Sequence, residues 1–281
     1  MLKQLKRLIA KKRAITKDSP REEIVKYKES AWKSSKMADY YAREVESFIF
    51  DSVTADLFTA DIDASAKVLD VGAGTGRLSF AFATKGCEVV ALDISKSMLS
   101  HIDSRVGDLK ITTIEASAFD LPFEDDSFDA VVSMDVDIHF PNWEEILAEK
   151  TRVCRSGGHI ILSALSKENA ELLNNKDYRS FGVRDFFTRE FAVFLSNDEI
   201  AQVAKKYGLT VEAITPYNFL ALNSMLGYAL DAEEARKFSE LYSKAMSSPE
   251  FRSIISAFEA NIVRGLPPSV TVSKIVRFKK T

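Results

Sequence analysis

An acid stands two residues ahead of a glycine turn in Asp70-Val71-Gly72-Ala73-Gly74-Thr75-Gly76. The glycines remove side chains where the backbone must turn sharply and lie close to a ligand. The turn opens onto a helix start, where unpaired N–H groups and the helix dipole favour an anionic group. Its spacing is G-x-G-x-G, whereas a dinucleotide turn reads G-x-G-x-x-G. Arg77 fills the slot of that pattern's last glycine and would crowd the helix–strand contact, so a pyrophosphate fits poorly. The preceding acid argues against phosphate and for a ligand that carries an ammonium. Asp93 follows 17 residues after Gly76, where an acid in a nucleoside-binding α/β fold accepts hydrogen bonds from the ribose hydroxyls. A second constellation is Asp135, Asp137, His139, Phe140 and Trp143. His139 is the candidate general base, because an unperturbed imidazole titrates at about 6.5. Its structural alternative is a hydrogen-bonded histidine without a catalytic role. Asp135 and Asp137 alternate at a strand end, so both cannot easily face the site.

These residues need strands that end at one edge. Val68 to Val71 reads as a buried parallel strand, and Leu78 to Thr84 as a helix capped by Gly86. Glu88 to Asp93, Lys110 to Glu115, Asp126 to Met134 with its lead-in, and His159 to Ser163 read as further strands. Helices are expected over Ser95 to Ser104 and Glu144 to Arg155. Ser196-Asn197-Asp198-Glu199 is a capping box for a helix that ends at Gly208. Leu209 to Ile214 and Thr271 to Lys279 complete the strands. In such open sheets ligands bind beyond the carboxyl ends of the strands, which is where all the residues named above fall.

The glycine turn resembles the cofactor loop of class I S-adenosylmethionine (SAM) methyltransferases. Asp93-Ile94-Ser95-Lys96-Ser97-Met98-Leu99 is similar to that family's D-x-S-x-x-M-L pattern. Arg152-Val153-Cys154-Arg155-Ser156-Gly157-Gly158 resembles its R-V-L-K-P-G-G turn, with Ser156 in place of the proline. The likeness spans residues 66–165. It implies a Rossmann-like α/β fold: a mostly parallel sheet with helices on both faces, an antiparallel final strand and an N-terminal helical segment; the helical pattern from Asn223 to Gly265, where the family core has a short turn, reads as a C-terminal helical insertion. It also implies SAM as cofactor and S-adenosylhomocysteine as product. The residues it assigns to the cofactor are Asp70, Gly72, Ala73, Gly74, Thr75, Gly76, Asp93, Ile94, Met98, Ser117, Ala118, Phe119 and Asp135. Ser117 departs from the acid that the family often places against the adenine amino group.

The 281 residues form one domain over 21–281 behind a basic tail, 1–20. Net charge is −3, which gives no nucleic-acid signature for the whole chain. Cys87 and Cys154 make neither a disulfide framework nor a metal pattern, and a reducing cytoplasm is the simplest setting. No apolar run is long enough to span a membrane. The tail, with Lys3, Lys6, Arg7, Lys11, Lys12, Arg13 and Lys17, reads as a frayed terminus or as a basic helix on anionic lipid or an acidic partner. From Glu22 to about Phe58 the pattern is helical, broken near Ser34-Ser35, and Trp32, Tyr40 and Tyr41 are candidates to touch cofactor or substrate. The aromatic stretch 174–195 and the helical insertion 223–265 are left to roof the acceptor side, and the alternative for the insertion is to pair two copies as a homodimer. The expected activity is methyl transfer to a small molecule such as a sugar, quinone, lipid or secondary metabolite. An RNA or protein methyltransferase, a non-catalytic SAM-binding module and a nicotinamide dehydrogenase are the alternatives.

Overall fold

A computed structural model describes residues 19–40, 42, 51–173, 192–217, 241, 244–245, 248–267, 269 and 271–281. The basic residues of 1–17, Tyr41, the aromatic stretch up to Phe191 and most of the insertion before Ser248 lie outside the described residues.

Eight strands form one sheet: β1 Lys67–Val71, β2 Glu88–Asp93, β3 Ile111–Glu115, β4 Phe128–Ser133, β5 Cys154–Ser166, β6 Phe194–Leu195, β7 Leu209–Tyr217 and β8 Ser273–Lys280. Their order is β3-β2-β1-β4-β5-β8-β7, with β6 beside β5. β1 pairs in parallel with both β2 and β4, and β8 runs antiparallel between β5 and β7. This is the expected Rossmann-like arrangement with its antiparallel last strand. The chain reverses its direction of winding between β1 and β4, so a crevice must open at their carboxyl ends.

Period-two alternation divides the core between the two faces of the sheet. Leu69, Val131 and Ile160 pack on one side under Trp143 and Leu147 of α6 (Trp143–Val153) and under Ile200 of α8 (Asn197–Lys206). Val68, Ala130 and Val132 pack on the other side with Phe58 of α3 (Asp51–Thr59) and with Leu78 and Phe82 of α4 (Arg77–Lys85). α5 (Lys96–Asp103) adds Leu99 and Ile102 at the edge. Among the described residues α1 Arg21–Trp32 and α2 Ser35–Tyr40 precede α3 and the sheet. α7 (Lys167–Leu173) follows β5, and α9 (Pro249–Asn261) is a described part of the insertion. No helix among the described residues is long and apolar enough to cross a membrane.

The expected helix to Arg155 ends instead at Val153, and β5 begins at Cys154. The register shifts between Phe128 and Ala130, which lets Arg155 to Gly158 join the strand. A β-carbon on Gly158 would lie 2.7 Å from the Asp129 carbonyl, so only glycine lets the two backbones approach there.

Candidate functional site

The carboxyl ends of β1, β2 and β4 surround a cavity that opens to solvent. Every residue that the resemblance assigns to the cofactor lines it except Gly76, and so does His139. Gly76 instead caps α4 with a φ of 98°.

The turn after β1 is held by the strand beside it. The N–H groups of Gly72 and Ala73 both donate to the Leu92 carbonyl, at 2.7 and 2.9 Å. A β-carbon on Gly72 would meet Val136 Cγ2 at 2.3 Å, so the residue after the β4 exit occupies the place of a side chain. At Gly74 the φ is 55° and nothing lies within 4 Å of a β-carbon position, which leaves the turn open toward the cavity. Asp93 fastens this turn. Its Oδ2 accepts from the Gly74 N–H at 2.8 Å and its Oδ1 from the Ser95 N–H at 2.8 Å. Each oxygen keeps a further lone pair for a diol. Burial raises the Asp93 pKa, against these two bonds.

Asp70 lies beneath the turn, with its carboxylate accepting from the Ser79 hydroxyl of α4 at 2.6 Å. Burial raises its pKa to about 6, with the Ser79 bonds and Arg77 acting the other way. A buried carboxylate poised near neutrality gains from a ligand cation. Opposite, Ile94, Met98, Ala116, Ala118 and Phe119 give an apolar slot, and Phe119 meets Phe140 edge-on at 5.1 Å. The Ser117 hydroxyl accepts from the Phe119 N–H at 3.3 Å. Phosphate would meet Asp70 and Asp93 in this cavity with Arg77 as the cation among its lining residues, and Arg77 donates to Met134 Sδ at 3.3 Å.

The exit of β4 separates the two acids, as their alternation predicted. Asp135, at φ 57°, lines the cavity, and its Oδ1 accepts from the Ser163 hydroxyl at 3.0 Å. Asp137 turns into the protein. Lys150 of α6 donates to its two oxygens at 2.7 and 2.6 Å, and to Ser133 Oγ at 2.5 Å. Lys150 and Asp137 are both buried, so this pair pins the 3-10 turn Asp137–His139 from behind.

His139 stands on that turn facing the cavity, with its ring 5.1 Å from the ring of Trp32. Burial, aided by the charge of Lys28, pushes its pKa down to about 3. The imidazole is therefore neutral at working pH, but a far weaker base than the sequence suggested. Sequence reasoning missed Glu29, which joins Trp32 in the cavity wall from the same helix. Their spacing of three residues on one helix face was the available signal. Among the described residues no group of three His, Cys, Asp or Glu side chains is arranged to hold a metal ion.

Residues 69–162 match a family model described as a methyltransferase domain. A demethylmenaquinone methyltransferase of Clavibacter sepedonicus is 41% identical over 107 residues, covering 37% of this chain and 42% of that protein. A ubiquinone biosynthesis O-methyltransferase of Dechloromonas aromatica is 29% identical over 178 residues, 58% of this chain and 74% of that protein. The chain thus spans about two fifths of the length of the first of these relatives. A solved complex of the Haloferax volcanii Trm112 methyltransferase activator with a methyltransferase matches 89% of this chain and 96% of the compared one, at TM-score 0.55 and 18% identity. The [4+2]-cyclase SpnF matches 81% of this chain and 79% of its own, at TM-score 0.54 and 15% identity. These last two show a shared fold, and SpnF by its name is a cyclase on that fold.

Proposed function

We propose that residues 69–162, which match the methyltransferase-domain model, form a class I, SAM-dependent domain, and that the protein transfers a methyl group from SAM to a small-molecule acceptor, releasing S-adenosylhomocysteine. The observation that carries the reading is the Asp93 carboxylate, which braces Gly74 of the open turn and still faces the cavity. SAM supplies a methyl group on a sulfonium whose positive charge disperses as the carbon–sulfur bond breaks, so no acid is needed for the leaving group.

The chain's own residues then bind, align and exclude water. Asp93 holds the ribose hydroxyls. Asp70 supports the methionyl ammonium through the turn formed by Gly72, Ala73, Gly74 and Thr75. Ile94, Met98, Ser117, Ala118 and Phe119 hold the adenine, by apolar contact in place of the family's acid. Asp135, beyond the end of β4, faces the junction between cofactor and acceptor. His139 faces the acceptor as a neutral hydrogen-bond acceptor, which polarises an acceptor X–H bond without keeping the proton. The names of the quinone-pathway relatives favour a small acceptor over a macromolecule.

Calorimetry with SAM, S-adenosylhomocysteine and NAD tests this reading. Binding of the first two and none of the third is expected. Tighter binding of NAD would overturn it. Release of S-adenosylhomocysteine across fractionated metabolite pools then identifies the acceptor.

A further inference from the structure

We infer that the acceptor is a small cationic amine, held in the cavity lined by Glu29, Trp32 and Asp135. The inference rests on the methyl-transfer reading above and narrows its acceptor.

Two carboxylates besides Asp70 and Asp93 line the cavity, Glu29 from α1 and Asp135 beyond β4. Among the described residues neither has a cationic partner, and the polar partner of Asp135 is the Ser163 hydroxyl. The lining cation, Arg77, is turned to Met134 and acts on Asp70 beneath the glycine turn. Lys28 is buried outside the cavity lining, and its charge adds to the burial that keeps His139 neutral. Trp32 lies against this uncharged imidazole in the cavity wall. An electron-rich indole beside carboxylates is a recognition surface for an ammonium. The same surface repels a phenolate, the form in which a phenol reacts, whereas an amine reacts as the neutral base.

The chemistry balances for an amine. The bound ammonium gives a proton to water at the open mouth. The nitrogen lone pair forms a bond to the methyl carbon, the carbon–sulfur pair stays on sulfur, and the product leaves as a methylated ammonium. One positive charge passes from sulfur to nitrogen, and no oxidant or reductant is required.

The test uses the full chain saturated with S-adenosylhomocysteine. Phenethylamine, phenethyl alcohol and 4-ethylphenol are titrated at pH 7 and followed by calorimetry and indole fluorescence. Trp143 is buried in the core, so a change in emission reports Trp32. The amine should bind at least about 10-fold tighter than either neutral probe. Glu29→Gln and Trp32→Leu should each weaken the amine by about 3–10-fold and leave S-adenosylhomocysteine affinity within about 2-fold. Equal or tighter binding of the alcohol or phenol, binding of no probe, or an amine affinity unmoved by both substitutions would overturn the amine and leave the methyl-transfer reading standing. Failure of the wild-type chain to bind S-adenosylhomocysteine would overturn both.

Discussion

The Ser79 hydroxyl donates to Asp70 Oδ2 at 2.6 Å, joining the first helix after the glycine turn to the strand before it. It is a neutral donor to a carboxylate whose pKa burial raises to about 6. A ligand ammonium favours the ionised form, so binding should release a proton below that pH.

SAM affinity should therefore fall as the pH drops through 6 and level off above it. At pH 5 the dissociation constant should be about 10-fold weaker than at pH 7, the ratio for one group of pKa about 6 that must ionise. The raised Asp93 acts in the same direction. Calorimetry in buffers of different ionisation enthalpy measures the proton released. A flat profile in the wild type would remove Asp70 from the ammonium site, and Asp70→Asn should flatten it.

Asp93→Ala should weaken SAM binding by about 1.5–3 kcal/mol, the usual range for hydrogen bonds to a charged group. The substitution also strips the partners from the N–H groups of Gly74 and Ser95. Thermal stability should fall with affinity, whereas a ribose contact alone would leave it untouched. Unchanged SAM affinity in a folded variant would separate Asp93 from the cofactor.

Lys150→Met leaves the Asp137 carboxylate buried without its partner. It should cost about 3–5 kcal/mol in urea unfolding. The double variant Lys150→Met/Asp137→Leu should recover most of that loss, since apolar replacement of a buried pair is often neutral. If the double variant is no more stable than the single one, the pair is not the element that holds the turn.

His139 has a folded pKa of about 3 against an unfolded value of about 6.5. A depressed folded pKa contributes stability that is complete above the unfolded value and is lost as the pH falls toward the folded one. Wild-type stability should therefore decline from pH 6.5 toward pH 3 more steeply than that of His139→Leu. Turnover should show no acid limb at 6.5 from this residue. His139→Ala should lower turnover by about 10-fold, below the range of about 10²–10⁴ for a full general base. A loss within that range, with a limb near 6.5, would restore His139 as the base.

Most of the cofactor half was legible because its signals are local. The apolar run into Asp70, the glycines and the Asp93-to-Leu99 segment each lie within a few residues of chain, and their spacing alone sets turn and strand. The acceptor half is built from distant pieces. Nothing near His139 announces Lys28 or Trp32, more than a hundred residues earlier, yet they set its charge and its contact. Asp137 looked like a site acid until Lys150, 13 residues on, drew it into the core. The early start of β5 was hidden for a similar reason. A serine and two glycines read as a turn, while the pairing that makes them strand comes from Phe128 and Ala130.

The methyl of Val136 stands where Gly72 would carry a side chain. Under the proposed function this contact ties the donor's turn to the acceptor's wall, and the expected behaviour is coupling between the two ligands. Whatever factor the donor adds to acceptor affinity, the acceptor returns to the donor.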